Sequence, residues 1–398
     1  LGPSFPTRRS SDLYNKSFYS NWTASKFNNN SKYGALCELK PDAKYNIVIV
    51  GKSGVGKSSL VNYLFDKKVQ KVGTGKPVTE VGFHPADFML KDLPVRLFDS
   101  WGLEADKADK WINTLNEELK LRQIDKDVTQ WFHSIFYCIG AGGGRVEDFE
   151  LDIIKKIIGE QYNVTILLTK ADQAKKVQLD DITSLLKSEF SNDVVVIPVC
   201  SEEKVMIGGR KTLKFGKSDI EKQIPNSFWL SIIKRLPARC NNLIGNEITV
   251  WKNSMIEYIN NNTGLFNQKN VYTHIQENGK KFANELQNNI VLEIIIHEIS
   301  LILDMYNLFR KGLTLPEIKF YKDMDLGNTN VPYFDYKLDR IASIFAFIVM
   351  PVGIFFLKDV NKDNLNTLLS NFTDSLLISV TKLEPEIQKT LVEISSIH

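Results

Sequence analysis

Residues 51–58 read Gly-Lys-Ser-Gly-Val-Gly-Lys-Ser, which fits the pattern GxxxxGK[ST]. An apolar run precedes this segment and an amphipathic run follows it, so the sequence predicts a strand, a glycine-rich loop and a helix in that order. Glycine lets backbone N–H groups curl around a phosphate, and the helix N-terminus adds its positive end. A loop of this kind is built between a strand and the helix that follows it, which constrains the fold more than any other feature.

Two side chains of this loop have separate expected roles. Lys57 reaches the β- and γ-phosphate oxygens of a bound nucleotide, and the Ser58 hydroxyl ligates Mg²⁺. The residues expected to contact the nucleotide here are Ser53, Gly54, Val55, Gly56, Lys57, Ser58 and Ser59.

Asp99-Ser100-Trp101-Gly102 follows the apolar run Val95–Phe98. An aspartate at a strand end can bind the Mg²⁺ shell, usually through water, and the Gly102 N–H can then contact the γ-phosphate. A DxxG pattern alone arises often by chance. Its place directly after a strand, downstream of the phosphate loop, supports the prediction here.

Thr169-Lys170-Ala171-Asp172 follows another apolar run and predicts the choice of base. The Asp172 carboxylate can accept two hydrogen bonds from the N1–H and N2–H edge of guanine, and adenine would leave it unpaired. The Lys170 stem can lie over the base, and Thr169 belongs to the same contact set. Ser201, in Cys200-Ser201-Glu202 after the last strand, is expected at the guanine oxygen on position alone.

The segment 72–80 between the loop and the DxxG pattern needs a hydroxyl that completes the Mg²⁺ shell when a γ-phosphate is present. Thr79 is the preferred residue and Thr74 the reserve, although a plain connecting loop is the alternative. Ser58, Thr79 and Asp99 are thus the predicted metal ligands. Lys57, Thr79 and Gly102 are the predicted catalytic residues.

Apolar runs alternate with amphipathic runs as far as about Pro225, which predicts a doubly wound, mostly parallel α/β sheet of six strands. The predicted strands are Asn46–Val50, Phe88–Lys91, Val95–Phe98, Ser134–Ile139, Val164–Leu168 and Val194–Val199. The predicted helices between them are Lys57–Phe65, Lys107–Leu121, Glu147–Ile158 and Ile182–Phe190. Later runs predict an α-helical domain with helices at Trp229–Leu236, Glu247–Asn260, Val271–Phe309 and Asn364–Leu383.

The sequence predicts a tail at 1–43, a nucleotide-binding domain at 44–238 and a helical domain at 239–398. Residues 4–13 (SFPTRRSSDL) match the translation of a common sequencing adapter and carry no functional expectation; a disordered polar arm is the alternative. The four cysteines form no metal or disulfide pattern, so a reducing cytoplasm is expected. A net charge of +3 is too small to indicate a nucleic-acid partner.

With these motifs the chain resembles the Era-like GTPases of the ribosome-binding type. The resemblance covers about half the chain and includes Phe132–Arg145 (FHSIFYCIGAGGGR), similar to that family's fourth strand and following loop. It implies a Ras-like fold, GTP and GDP as ligands, Mg²⁺-dependent GTP hydrolysis and two switching loops. It does not imply a ribosome partner, because no KH-like or strongly basic C-terminal domain is visible.

Two positions depart from that pattern. Gly54 stands where the members that use potassium carry asparagine. A glycine at this position is similar to the phosphate loops of septins, plastid import receptors and immunity-associated GTPases. Proteins of those families pair face to face across their nucleotides. Leu103 stands where Ras-like enzymes keep the glutamine that orients water. We therefore expect slow hydrolysis that depends on a homodimer across the nucleotide face or on a protein effector.

An uncharged apolar run covers Ile341–Leu357 and is at the lower length limit for spanning a bilayer. One interpretation is a core helix kinked near Pro351, in a cytoplasmic switch whose helical domain docks a partner. The alternative is a membrane-associated, dynamin-like or immunity-related GTPase that acts on lipid. The sequence leaves both interpretations open.

Overall fold

The computed structural model describes residues 39, 42–66, 83–100, 108–143, 145–203, 211–263, 267–315 and 360–396. Predictions for Thr74, Thr79, Gly102, Leu103 and the run 341–357 therefore lie outside the described residues.

Six strands form a sheet in the order β2-β3-β1-β4-β5-β6, and β2 is the strand that runs antiparallel to its neighbour. The strands are β1 (Tyr45–Gly51), β2 (Phe83–Leu90), β3 (Leu93–Ser100), β4 (Ser134–Gly140), β5 (Val164–Thr169) and β6 (Val194–Pro198). All seven residues of β1 are buried, as expected for a central strand covered on both faces. The predicted fold class is confirmed.

The second strand is longer than its sequence pattern predicts. It begins at Phe83, whereas the prediction covered only 88–91, and Pro85 lies within it opposite Phe98. Proline cannot donate to a ladder, which argues against a central strand but is tolerated at an edge. Because β2 is the edge strand of this sheet, the proline does not end it.

Helices cover both faces of the sheet. These are α1 (Lys57–Leu64), α2 (Ala108–Lys120), α3 (Asp148–Gly159) and α4 (Lys176–Phe190). Helices α2, α3 and α4 pack on one face, in a core that contains Trp111, Ile154 and Leu186. Helix α1 packs on the other face, in a core that continues into the C-terminal helices.

Helix α5 runs for 46 residues, Lys217–Asn262, which at 1.5 Å per residue is about 69 Å. Pro225 and Pro237 lie inside it, and each proline removes one backbone hydrogen bond. The apolar spacing predicted two shorter helices here, Trp229–Leu236 and Glu247–Asn260, instead of one. Burial of Ile224, Leu236 and their neighbours, against the C-terminal helices and the sheet, offsets that local cost. The predicted domain boundary at 238/239 falls within this helix.

The remaining described helices are α6 (Gln268–Glu285), α7 (Val291–Leu313), α8 (Lys362–Thr381) and α9 (Glu384–Ser395). A five-residue π-helical turn, Leu286–Ile290, joins α6 to α7, so the single helix predicted over 271–309 is divided. Two residues separate the end of α8 from the start of α9, and α9 was not predicted. Helix α7 carries buried residues on most of its surface and lies at the centre of this region.

Two buried arginines of α5 attach it to the rest of the fold. Arg239 forms an ion pair with Glu298 of α7 at 2.7 Å, and both side chains are at most 6% exposed. Arg235 donates to the carbonyl oxygens of Arg122 and Glu160 at 2.6 Å each, and its guanidinium lies 3.8 Å from the Tyr162 ring centroid. Both charges are thus removed from water and compensated by specific partners.

We expect Arg239→Met to lower the free energy of unfolding by about 3–5 kcal/mol, because it leaves the Glu298 carboxylate buried without its cation. Urea denaturation followed by circular dichroism measures this. The double variant Arg239→Met/Glu298→Leu should recover much of the loss, because neither charge then remains. A double variant whose loss equals the sum of the two single losses would contradict the ion-pair explanation.

Candidate functional site

The predicted phosphate loop leaves the sheet at Gly51, the last residue of β1. Gly51 has φ of +145°, and a Cβ atom there would lie 2.4 Å from the carbonyl oxygen of Cys138 in β4. A backbone oxygen cannot turn aside as a flexible side chain can. Glycine at this position therefore allows the loop to begin against β4.

Two further glycines turn the loop into the helix. Gly54 has φ of +76° and Gly56 has φ of +107°, conformations that L side chains rarely adopt. Gly56 directly precedes α1, so the unpaired N–H groups of the first helical turn lie at the loop. This arrangement creates a positive, donor-rich concavity at the carboxyl edge of the sheet.

Lys57 is the first residue of α1, and its ammonium lies within the loop. Its Nζ donates to the carbonyl oxygens of Gly51 and Lys52 at 2.8 and 3.0 Å. Burial lowers the pKa of Lys57, and the nearby Asp99 carboxylate opposes that effect. The cation is therefore held at the loop and faces a buried carboxylate.

Asp99 and Ser58 place oxygen atoms on two elements that meet at this edge. Asp99 lies next to last in β3, is 1% exposed and pairs with Ile49 of β1, two residues before the loop. Ser58 lies half-buried in the first turn of α1. Carboxylate and hydroxyl oxygens are ligands that suit Mg²⁺, so the donor chemistry of this pair fits that ion.

The Thr169-Lys170 pair is bonded directly to the phosphate loop. The Thr169 hydroxyl lies 2.6 Å from the carbonyl oxygen of Val55 and 3.1 Å from that of Ile139, so it donates between the loop and β4. Lys170 has φ of +55°, and its Nζ donates to the carbonyl oxygen of Gly54 at 2.5 Å. Two segments more than a hundred residues apart thus form one continuous surface.

The residues that follow Lys170, including Asp172, contact the segment that follows β6. The Ala171 N–H donates to the carbonyl oxygen of Val199 at 3.1 Å, which holds the two segments together. Burial, together with a hydrogen bond to the Asp172 carboxylate, raises the pKa of the Cys200 thiol. Asp172 and Ser201 are both half-buried on this side of the loop. The structure therefore brings the predicted base-contacting residues together.

Two contacts at this edge were absent from the predicted set. Lys52 forms an ion pair with Glu147 at 2.6 Å, which connects the loop to the start of α3. Arg145, two residues before Glu147, is exposed. Cys200 and Phe215 exchange two backbone hydrogen bonds of 3.1 Å, which joins the base side to the residues before α5. A glycine at 216 directly before a helical run is the one sequence signal for the second contact.

Comparison with known proteins agrees with this geometry. A family model described as 50S ribosome-binding GTPase matches residues 46–186. The probable GTP-binding protein EngB of Ehrlichia chaffeensis is 31% identical over 160 residues, which cover 39% of this chain and 74% of EngB. Septin-14 of Mus musculus is 26% identical over 171 residues, 38% of this chain and 40% of the septin.

The chain thus spans less than half the length of the septin it matches. A solved structure of Toc33 from Arabidopsis thaliana with Mg²⁺ and GMPPNP is 16% identical, covers 48% of this chain and 86% of Toc33, and has a TM-score of 0.36. The assignment rests on EngB, which is matched over most of its length. The chain belongs to the P-loop GTPase family that includes EngB, and it is a GTP-binding protein of that family.

Proposed function

We propose that this chain is a Mg²⁺-dependent nucleotide switch that alternates between GTP and GDP, hydrolyses GTP slowly as a monomer, and passes its nucleotide state to the helical region. The observation that carries the proposal is the pair of bonds from Thr169 and Lys170 to the phosphate loop. These bonds fix the distance between a phosphate-binding loop and a carboxylate suited to guanine. One ligand that combines triphosphate and guanine matches both ends.

The phosphate end of the proposed site carries positive groups that can bind a triphosphate. In the proposed complex, Lys57 and the N–H groups at the start of α1 bind the β- and γ-phosphates, while Ser58, Asp99 and Thr79 hold Mg²⁺. The metal would supply neutralisation of the charge that develops on the phosphate oxygens. The chain's own contribution is a positioned cation and a preorganised backbone, which do not need to reorganise during the reaction.

The base end of the proposed site distinguishes guanine from adenine. Asp172 accepts from the two donors of guanine, Ser201 lies beside the guanine oxygen, and the Lys170 stem covers the base. Adenine lacks the matching donors, so its binding would leave the half-buried carboxylate unpaired. Such a mismatch costs about 1–3 kcal/mol or more for a charged group.

The position at which Ras-like enzymes keep a water-orienting glutamine holds leucine in this chain. Leu103 cannot hydrogen-bond the attacking water, so the rate of the isolated protomer should be low. The exposed Arg145 lies next to the phosphate loop, because the ion pair between Glu147 and Lys52 holds that segment there. In a homodimer across the nucleotide face, Arg145 of the second copy would stabilise the transition-state charge.

The helical region, 239–398, is the proposed effector part. Its core is continuous with the sheet face that carries α1, and α5 begins beside the base-contacting segment. No helix among the described residues has the length and apolar character needed to cross a membrane. The run 341–357, on which the lipid alternative depends, lies outside those residues.

We expect Lys57→Ala to weaken GTP and GDP binding by about 10- to 100-fold, the value of a lost hydrogen bond to a charged group. Ser58→Asn should instead remove the Mg²⁺ dependence of binding. Isothermal calorimetry with and without Mg²⁺ measures both effects. Lys52→Ala is the matched control, because it removes the same charge from the same loop but from a side chain that pairs with Glu147. Unchanged affinity in Lys57→Ala would refute the phosphate assignment.

We expect Asp172→Asn to lose guanine preference and gain xanthine preference, because the amide can donate to the additional oxygen of xanthine. Competition of GTP, XTP and ATP against a fluorescent nucleotide measures the order of affinities. Asp180→Asn, an exposed residue of α4, makes the same chemical change away from the site. Equal affinity of the unmodified protein for ATP and GTP would exclude the base assignment.

We expect the GTPase activity per molecule to rise with protein concentration, and Arg145→Ala to remove that rise. An arginine supplied in trans contributes about 10³–10⁵ in rate, well above assay noise. Activity is measured across a wide concentration range beside mass by light scattering. Lys156→Ala, further along α3, is the exposed-cation control. Flat specific activity with a monomer in every nucleotide state would reject the dimer.

A further inference from the structure

The β2–β3 hairpin reaches from the nucleotide edge to the C-terminal helices. At its open end β3 carries Asp99, and β2 begins at Phe83, a few residues after the proposed metal ligand Thr79. At its closed end the turn Lys91-Asp92 lies beside α5 and α7. The hairpin therefore contacts both the proposed nucleotide site and the helical region.

The two strands of the hairpin form one uninterrupted ladder. Its strands pair over eight consecutive positions, from Phe83 opposite Ser100 to Leu90 opposite Leu93. The turn is tight, and Lys91 has φ of +54°. The ladder has no break, and β3 also pairs in parallel with β1 from Val95 to Asp99. A displacement at the open end therefore reaches the turn as a shift of both hairpin strands along β1.

The turn is in close contact with the last turn of α7. A Cβ atom at Gly312 would lie 2.3 Å from the backbone nitrogen of Leu93 and 2.5 Å from its Cα. These are backbone atoms, so no rotamer change could relieve the overlap. Gly312 is therefore the residue that allows α7 to pack directly on the hairpin.

A second contact and an adjoining space complete the junction. Lys91 pairs with Glu221 of α5 at 2.8 Å. A cavity of about 410 Å³ lies between the turn, the first turns of α5 and the end of α7. Leu90, Lys91 and Gly312 line this space, so it adjoins the contact between the turn and the end of α7.

We propose that the β2–β3 hairpin couples the nucleotide state to the position of α7 through the contact between Leu93 and Gly312. The γ-phosphate acts on the open end, and the hairpin turn presses on or releases the end of α7. By linkage, a change at that contact alters the relative affinity of the site for GTP and GDP by the same coupling free energy. This inference rests on the proposed switch function.

The test compares Gly312→Ala with Gly245→Ala. The first variant wedges α7 away from the turn; the second adds the same methyl group to α5, where it would meet only Leu377 at 3.5 Å. Affinities for GDP and GMPPNP are measured by calorimetry. We expect Gly312→Ala to change their ratio by about fivefold or more, the lower end of typical coupling, and Gly245→Ala to leave it unchanged.

Hydrogen exchange of the unmodified protein provides an independent readout if Gly312→Ala fails to fold. The amides of the last turn of α7 should differ in protection between the GDP and GMPPNP states. Equal protection in the two states, or an unchanged affinity ratio in folded Gly312→Ala, would overturn the coupling. Failure of the unmodified protein to bind either nucleotide would instead refute the proposed function itself.

Discussion

The close approach of Gly51 to the Cys138 carbonyl is the constraint on which the rest of the site depends. Central strands β1 and β4 are paired in parallel up to this point, and β1 then has to leave the sheet at once. A residue with a Cβ atom would separate the strands or displace the loop. The start of α1, the position of Lys57 and the surface available to Thr169 all follow from this one contact.

Selectivity for a whole nucleotide requires that its two recognition ends stay at a fixed distance. Here that distance is set by a hydroxyl and an ammonium that donate to loop carbonyls, not by a rigid linker. The carbonyls of a tight loop have few other partners, so these bonds satisfy backbone groups and position the base side together. In the proposed complex, the contacts that stabilise the loop also position the residues expected to contact the base.

The helical region is joined to the sheet by burial and by charge. Residues of α5 and α7 belong to the core that also contains β1 and β3, while Arg235 and Arg239 add specific polar contacts. A buried guanidinium is costly to desolvate and is compensated only by partners in the right geometry. Such groups disfavour alternative packings of α5, a helix of 46 residues.

The sequence by itself determined the α/β fold, the phosphate loop and the residues grouped around Lys57, Asp99 and Asp172, because each motif depends on residue types at short spacing. It did not determine the continuity of α5, since a proline weakens a helix locally and only burial in the tertiary structure, against the C-terminal helices and the sheet, compensates for it. Nor did it reveal that Thr169 bonds to Val55 or that Gly312 packs on Leu93. Those contacts join residues more than a hundred positions apart, and only the tertiary structure brings them together.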